Sequence, residues 1–246
     1  MTTPILLIHG LFGSLSDPRI AAAFGETSVL APDLLGYGFY RSADTDGITI
    51  EAQADHVAAW MRQRGDAPAH VVGHSIGGAV AMFFASRHPE LTRSLTSIEG
   101  NFTLKDAFWS SQIAQMALSE VEAIVDGYKA NVGGWISGAN VAPTQWTLDV
   151  AQRWLHNQPT STVRAQARAV VAATGRAQYL DMVRSLLDAG PPFHLIGGAR
   201  SRAGWDVPDW ISRIATSNSD IAATGHLMML DAPERFADAI MSNYRV

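Results

Sequence analysis

The sequence predicts an α/β protein: a doubly wound, mainly parallel sheet of about six strands. Three observations point there. Short aliphatic runs alternate with longer helical patterns through most of the chain. Most of those runs are continuously apolar, as strands covered on both faces require. The 246 residues, 47% of them hydrophobic, can fill one large core or a core plus a small accessory lobe.

The strands are read in order as "ILLIH" (5–9), "SVLAP" (28–32), "HVVGH" (70–74), "SLTSIE" (94–99), "FHLIG" (193–197) and "DIAAT" (220–224). Helices fall between and after them at 17–24, 50–64, 76–87, 208–215 and 232–243. Thr49 and Ala52 form the capping pair of the second, and Ser75 opens the third. The alternation breaks once. From about 103 to 190 there are only helical patterns, "SEVEAIVDGYKAN", "TQWTLDVAQRWLHN" and "TVRAQARAVVAAT", punctuated by "VGGWISGANVAP". Trp109, Trp135, Trp146 and Trp154 lie in this insert, either as pocket walls or as the glue that binds the insert to the body. An insert between two parallel strands sits over the carboxyl ends of the sheet, where open α/β folds bind ligands.

Composition excludes several function classes. A net charge of −5 without Lys or Arg clusters gives no field for nucleic acid. Without cysteine there are no disulfides, thiolate metal sites or Cys nucleophiles. The histidines show no paired metal spacing. "MTTPILLIHG" carries no basic leader, and no segment reaches the roughly 20 apolar residues of a membrane span. The expectation is a soluble, cytoplasmic protein.

Chemistry concentrates in three places. "GHSIGG" (73–78) joins a strand to a helix. A Ser in that tight turn needs small neighbours, stands exposed above the sheet, and is followed by the N–H of Ile76 at the helix's positive end. After the first strand, Gly10 lets the backbone approach a substrate carbonyl, with the N–H of Leu11 as second oxyanion donor. His9 beside it is read as a structural bond to the loop. His226, in "TGHLMML" after the last strand, is placed to take the Ser75 proton.

With these motifs in place, the chain resembles the α/β-hydrolase superfamily over nearly its full length, in "HGLFGS", "APDLLGYGFYRS", "GHSIGG" and "TGHLMMLDAPERF". The resemblance implies nucleophile Ser75, base His226 and oxyanion donors Leu11 and Ile76. It makes Asp33, Gly36 and Gly38 a structural turn. The two antiparallel strands that commonly begin the fold are missing. The implied division is a core of 1–102 and 191–246, with a helical cap, 103–190, inserted after the strand ending at Glu99. Epoxide hydrolases and haloalkane dehalogenases of the fold need Asp where Ser75 stands, which disfavours both.

The third member of a triad is displaced. The usual aspartate after the fifth strand has no counterpart among Gly198 to Gly204, where Ser201 and its neighbours stand. Two carboxylates are candidates. Asp206 comes a few residues late, beside the next helix, and needs a bulged loop to swing in. Glu99 ends the strand beside that of Ser75 and is preferred; the competing reading makes it a surface loop residue. Zearalenone-type lactone hydrolases, by resemblance, place their acid after this same strand.

The expected activity is that of a carboxylic ester hydrolase, an esterase or lactonase, acting through a Ser75 acyl-enzyme without cofactor or metal. The expected partner is a small ester or lactone with a hydrophobic body, received by Trp109, Trp135 and Met116. A C–C bond hydrolase or thioesterase with the same triad, a ligand receptor with slow turnover, and an inactive scaffold remain as alternatives. Monomer and homodimer are both left open.

Overall fold

In the computed structural model, which describes residues 3–244 apart from the side chain of Phe108, six strands form one sheet in the order β2-β1-β3-β4-β5-β6, every pair parallel. They are β1 (Ile5–Ile8), β2 (Val29–Leu30), β3 (Ala69–His74), β4 (Thr92–Ile98), β5 (Phe193–Gly198) and β6 (Ser217–Ile221). The continuous apolar runs have the expected cause. Leu6, Ile8, Val71, Leu95 and Leu195 enter the core on one face, while Ile5, Leu7, Val72, Ile98 and Ile196 enter the core on the other.

Helices α1 (Pro18–Ala22), α2 (Ile50–Arg64) and α3 (Ile76–Arg87) follow the first three strands. Thr49 Oγ1 accepts from Ala52 N at 3.0 Å to start α2, and Gly65 ends it at φ 68°. Between β4 and β5 lie α4 (Phe108–Gln115), α5 (Leu118–Ala130), α6 (Val132–Gly138), α7 (Gln145–His156), α8 (Thr160–Thr174) and α9 (Ala177–Ala189). Then come α10 (Asp209–Ile214), α11 (Met228–Asp231) and α12 (Pro233–Ser242). None of the described helices is long and apolar enough to cross a membrane.

Two local expectations are corrected. The last strand is Ser217–Ile221, not 220–224, so most of it is polar and exposed. It lies at the sheet edge, where polar side chains discourage pairing with another chain and no apolar run marks the strand. Within "VGGWISGANVAP", residues 132–138 are helical despite their glycines. Asn131 supplies the nucleus by accepting from Gly134 N at 2.8 Å.

Candidate active site

Ser75 stands between β3 and α3 at φ 56°, ψ −127°, a conformation costly for any residue with a Cβ. The surrounding backbone holds it there. Ser75 N donates to Ile98 O at 3.0 Å, and Ser75 O accepts from Gly78 N at 2.8 Å and Asn101 N at 3.3 Å. The glycines permit this by close approach: a Cβ on Gly73 would come within 2.2 Å of Gly77 O, and one on Gly78 within 2.4 Å of the Gly100 Cα. Ile76 N is the first amide of a twelve-residue helix, with its dipole directed at the Ser75 side.

The Leu11 loop is fixed from below by His9, as expected. His9 Nδ1–H donates to Gly10 O at 2.9 Å, and Nε2 accepts from Leu34 N at 3.3 Å. That pattern requires a neutral ring, and burial lowers the His9 pKa accordingly. Leu11 O accepts from Tyr37 Oη–H at 2.9 Å, and Leu11 is among the residues that line the cavity. In the turn below, Asp33 Oδ2 accepts from Phe39 N at 3.0 Å, the structural use implied for "APDLLGYG".

Glu99 directly follows β4 at φ 43°, as Ser75 directly follows β3 at positive φ, so two non-glycine residues hold positive φ just beyond adjoining strands. Its side chain is only 4% exposed. One oxygen, Oε2, lies 2.6 Å from His226 Nδ1. The other accepts from Gly198 N at 2.7 Å and Ser201 Oγ at 2.5 Å. Burial by itself would raise the Glu99 pKa. The hydrogen bond and charge of His226, with the Ser201 and Gly198 donors, outweigh it and bring the carboxyl down to about 2.

Asp206 is elsewhere. Its Oδ2 accepts from Thr103 Oγ1 at 2.6 Å, Oδ1 lies 3.8 Å from Lys105 Nζ, and it is not part of the cavity wall. The loop after β5 thus contributes no carboxylate to the His226 ring. It contributes the Ser201 hydroxyl to the Glu99 carboxylate instead, at the place the sequence left unexplained.

His226 lies between β6 and α11, and its carbonyl accepts from His74 Nε2–H at 2.9 Å. Burial, followed by the proximity of His226, lowers the His74 pKa to about 3, so His74 is a neutral donor that props the loop. Arg200 brackets the same loop. Its guanidinium donates to Ala223 O at 2.8 Å, Asn140 O at 2.7 Å and Asp231 Oδ2 at 2.6 Å, while its amide donates to Thr224 O at 2.9 Å. Ala223 and Asn140 both hold positive φ, so this one side chain stabilises two unfavourable turns. Sequence reading missed Ser201, His74 and Arg200 as supports, since no motif marks a long-range contact. The "GGARSRAG" stretch, which lacks a carboxylate, was the only signal.

Ser75, Glu99 and His226 share the wall of one cavity of about 460 Å³ with Leu11, Trp109 and Trp135. Among the described residues no hydrogen bond joins Ser75 Oγ to the His226 ring; catalytic contacts of this kind often tighten only on substrate binding. Trp109 and Trp135 have both functions weighed for them. They line the cavity, and their rings pack on Phe12 at 5.3 and 5.9 Å. Met116 does not line it. It caps the end of α4, its carbonyl accepts from Arg164 Nε at 2.8 Å, and its side chain joins the core. An apolar residue on a short helix gives no sign of which way it faces until the helix is docked. The described residues contain no cluster of three His, Cys, Asp or Glu able to hold a metal.

A family model described as "Alpha/beta hydrolase family" matches residues 5–239. Lipase LipV of Mycobacterium tuberculosis is 40% identical over 205 residues, covering 82% of this chain and 61% of that protein. Lipase 3 of a Moraxella species is 33% identical over 112 residues, covering 45% of this chain and 34% of that protein. The chain thus spans less than two thirds of the length of these relatives. The crystal structure of the N-acyl homoserine lactonase AidH shares the fold, with a TM-score of 0.68 at 21% identity over 99% of this chain and 89% of that chain.

Proposed function

This chain belongs to the alpha/beta hydrolase family, and from that premise we propose that it is a serine hydrolase of carboxylic esters or lactones with a hydrophobic body. The observation that carries the reading is the buried Glu99 carboxylate on His226 Nδ1, in the cavity that Ser75 lines. The lipases among its relatives act in the same direction, since their names denote ester hydrolysis.

Glu99 fixes the His226 ring with its proton on Nδ1, which leaves Nε2 free to accept. Nε2 takes the proton of Ser75 Oγ as Oγ bonds to the substrate carbonyl carbon. The carbonyl oxygen becomes an oxyanion facing the N–H groups of Leu11 and Ile76. The imidazolium then gives its proton to the departing alkoxide, and the acyl group remains on Ser75. Water repeats the sequence: His226 Nε2 takes its proton as its oxygen bonds to the acyl carbon, the acyl–Oγ bond breaks to release the acid, and the imidazolium returns the proton to Ser75 Oγ. Throughout, Glu99 stays ionised and stabilises the imidazolium charge, as its low pKa allows.

The helical segment 103–190 is read as a cap, supplying Trp109, Trp135 and Trp154 to a mainly apolar wall. Such a wall favours an aliphatic or aromatic acyl body over a sugar or a multiply charged metabolite. Ser75, His226 and Glu99 are the catalytic residues of the proposal; Leu11 and Ile76 are its oxyanion donors.

The test is to trap the acyl-enzyme. A slowly deacylating aryl ester should add the mass of its acyl group to the peptide containing Ser75, with one equivalent of alcohol released. Alcohol release without mass on Ser75, or no release across a series of short and medium-chain esters, would contradict the proposal.

A further inference from the structure

The loop from Gly10 to Gly13 is held from two parts of the molecule. The body holds its first half: His9 Nδ1–H donates to Gly10 O at 2.9 Å, and Tyr37 Oη–H donates to Leu11 O at 2.9 Å. The inserted helices hold the second half. Gly13 N donates to Gln158 Oε1 at 3.4 Å, and Gly13 O accepts from Asn157 Nδ2 at 3.0 Å. Asn157 and Gln158 directly follow α7, 144 and 145 residues along the chain from Gly13.

Side-chain packing shows the same division. The Phe12 ring packs on Trp109, Tyr128 and Trp135 of the insert, with ring centres 5.3, 6.3 and 5.9 Å away. Gly13 lies against Trp154 of α7 at φ 97°, where a Cβ would come within 2.3 Å of the indole ring. Asn157 also grips the body through its carbonyl, which accepts from Gly38 N at 2.8 Å. Gln158 is 2% exposed, and its side chain makes its one hydrogen bond among the described residues to Gly13 N. A residue serving only to close α7 would turn its donor to the last carbonyls of that helix. Both side chains go to Gly13 instead. Between the two sets of anchors, the Leu11 N–H shares a planar unit with Gly10 O and makes no hydrogen bond among the described residues. His9 pins that plane at its oxygen, and the placing of Gly13 limits its tilt from the other side.

We infer that Asn157 and Gln158 are positioning residues for the oxyanion site: by fixing both backbone polar groups of Gly13, they set the direction of the Leu11 N–H. This rests on the hydrolase reading and gives the insert a role beyond roofing the cavity. An oxyanion donor acts only if it is already aimed where charge develops. A loop free to tilt therefore loses transition-state stabilisation while the apolar wall still binds the ground state.

A pair of ketones reads that difference. With hexyl trifluoromethyl ketone, Ser75 Oγ bonds to the carbonyl carbon, its proton passes to His226 Nε2, and the carbonyl oxygen becomes an oxyanion. Hexyl methyl ketone has nearly the same shape and binds without forming the adduct. Inhibition constants for both are measured against hydrolysis of an aryl hexanoate by wild type, Asn157→Ala and Gln158→Leu. Wild type should bind the trifluoromethyl ketone about a hundredfold more tightly than the methyl ketone. Each variant should weaken the trifluoromethyl ketone about tenfold and lower kcat by a similar factor. The methyl ketone and KM should stay within about twofold. Gln158→Leu repeats the test from the buried side, so either variant that folds suffices. Unchanged affinity for the trifluoromethyl ketone would overturn the inference. So would equal weakening of both ketones, the mark of a cavity that has merely lost its shape. A wild type that binds the two ketones alike would remove the hydrolase reading as well, whereas a preference kept in the variants removes the positioning role alone.

Discussion

The two ends of the sheet each hold a pair of histidines, and they do different things with them. At the carboxyl end, His226 meets a buried carboxylate at 2.6 Å beside a cavity, with His74 bonded to its carbonyl. At the amino end, His70 stacks on Tyr244 with ring centres 3.8 Å apart and bonds Ser94 Oγ at 2.7 Å, while His194 bonds Ser217 Oγ at 2.8 Å. Burial lowers the pKa of His70, His194 and His74 alike. What separates the two ends is the partner. Hydroxyl partners on β4 and β6 make His70 and His194 cross-strand fasteners with Tyr244 packed on both rings, whereas a buried carboxylate can hold a ring through a change of charge.

The largest effect should come from cutting the carboxyl end alone. His226→Ala should lower kcat/KM by about 10⁴-fold or more in steady-state ester hydrolysis, because the base and the triad are lost together. A loss below about tenfold would mean that another group accepts the Ser75 proton. Next comes Arg200→Ala, which frees the turns at Ala223 and Asn140 without touching the reacting atoms. We expect kcat to fall about tenfold with KM changed less, since misplacing the His loop costs orientation more than binding.

The acid limb of stability comes third. His74 is held neutral with its pKa near 3, so its contribution is complete above about pH 6.5 and fades as pH falls toward 3. Glu99, held at about 2, contributes fully above about pH 4.5 and loses that contribution as pH falls toward 2. Thermal unfolding as a function of pH should therefore be flatter for Glu99→Gln than for the wild type across that lower window. Parallel curves would mean that the Glu99 carboxylate is not stabilised by the fold. The smallest effect belongs to the amino end. His70→Phe keeps the stack on Tyr244 and loses one hydrogen bond, about 1 kcal/mol, or a Tm drop of about 2–4 °C, with kcat/KM within about twofold.

The same contrast explains what was legible in the sequence. Strand and helix periodicities follow local burial, so α2 and α3 occur at 50–64 and 76–87 as read, and the turn around Ser75 announces itself through its glycines. Ser217–Ile221 escaped because an edge strand needs backbone partners rather than apolar side chains. At the site, Glu99 was legible as a carboxylate at a strand end. That Ser201, more than 100 residues away in the chain, would donate to it was not, because such contacts exist only once β4 and β5 are paired. Trp135 lines the cavity and Met116 does not, although both read as apolar residues of the same insert; the docking of each helix decided between them.

The central claim is that the acid lies at the end of β4 and not in the loop after β5. Fluorophosphonate labelling of Ser75 tests it directly, with rates compared for wild type, Glu99→Gln and Asp206→Asn. The account predicts that Glu99→Gln slows labelling by roughly 10³-fold or more while Asp206→Asn stays within about threefold of wild type. A large loss in Asp206→Asn with Glu99→Gln near wild type would contradict it.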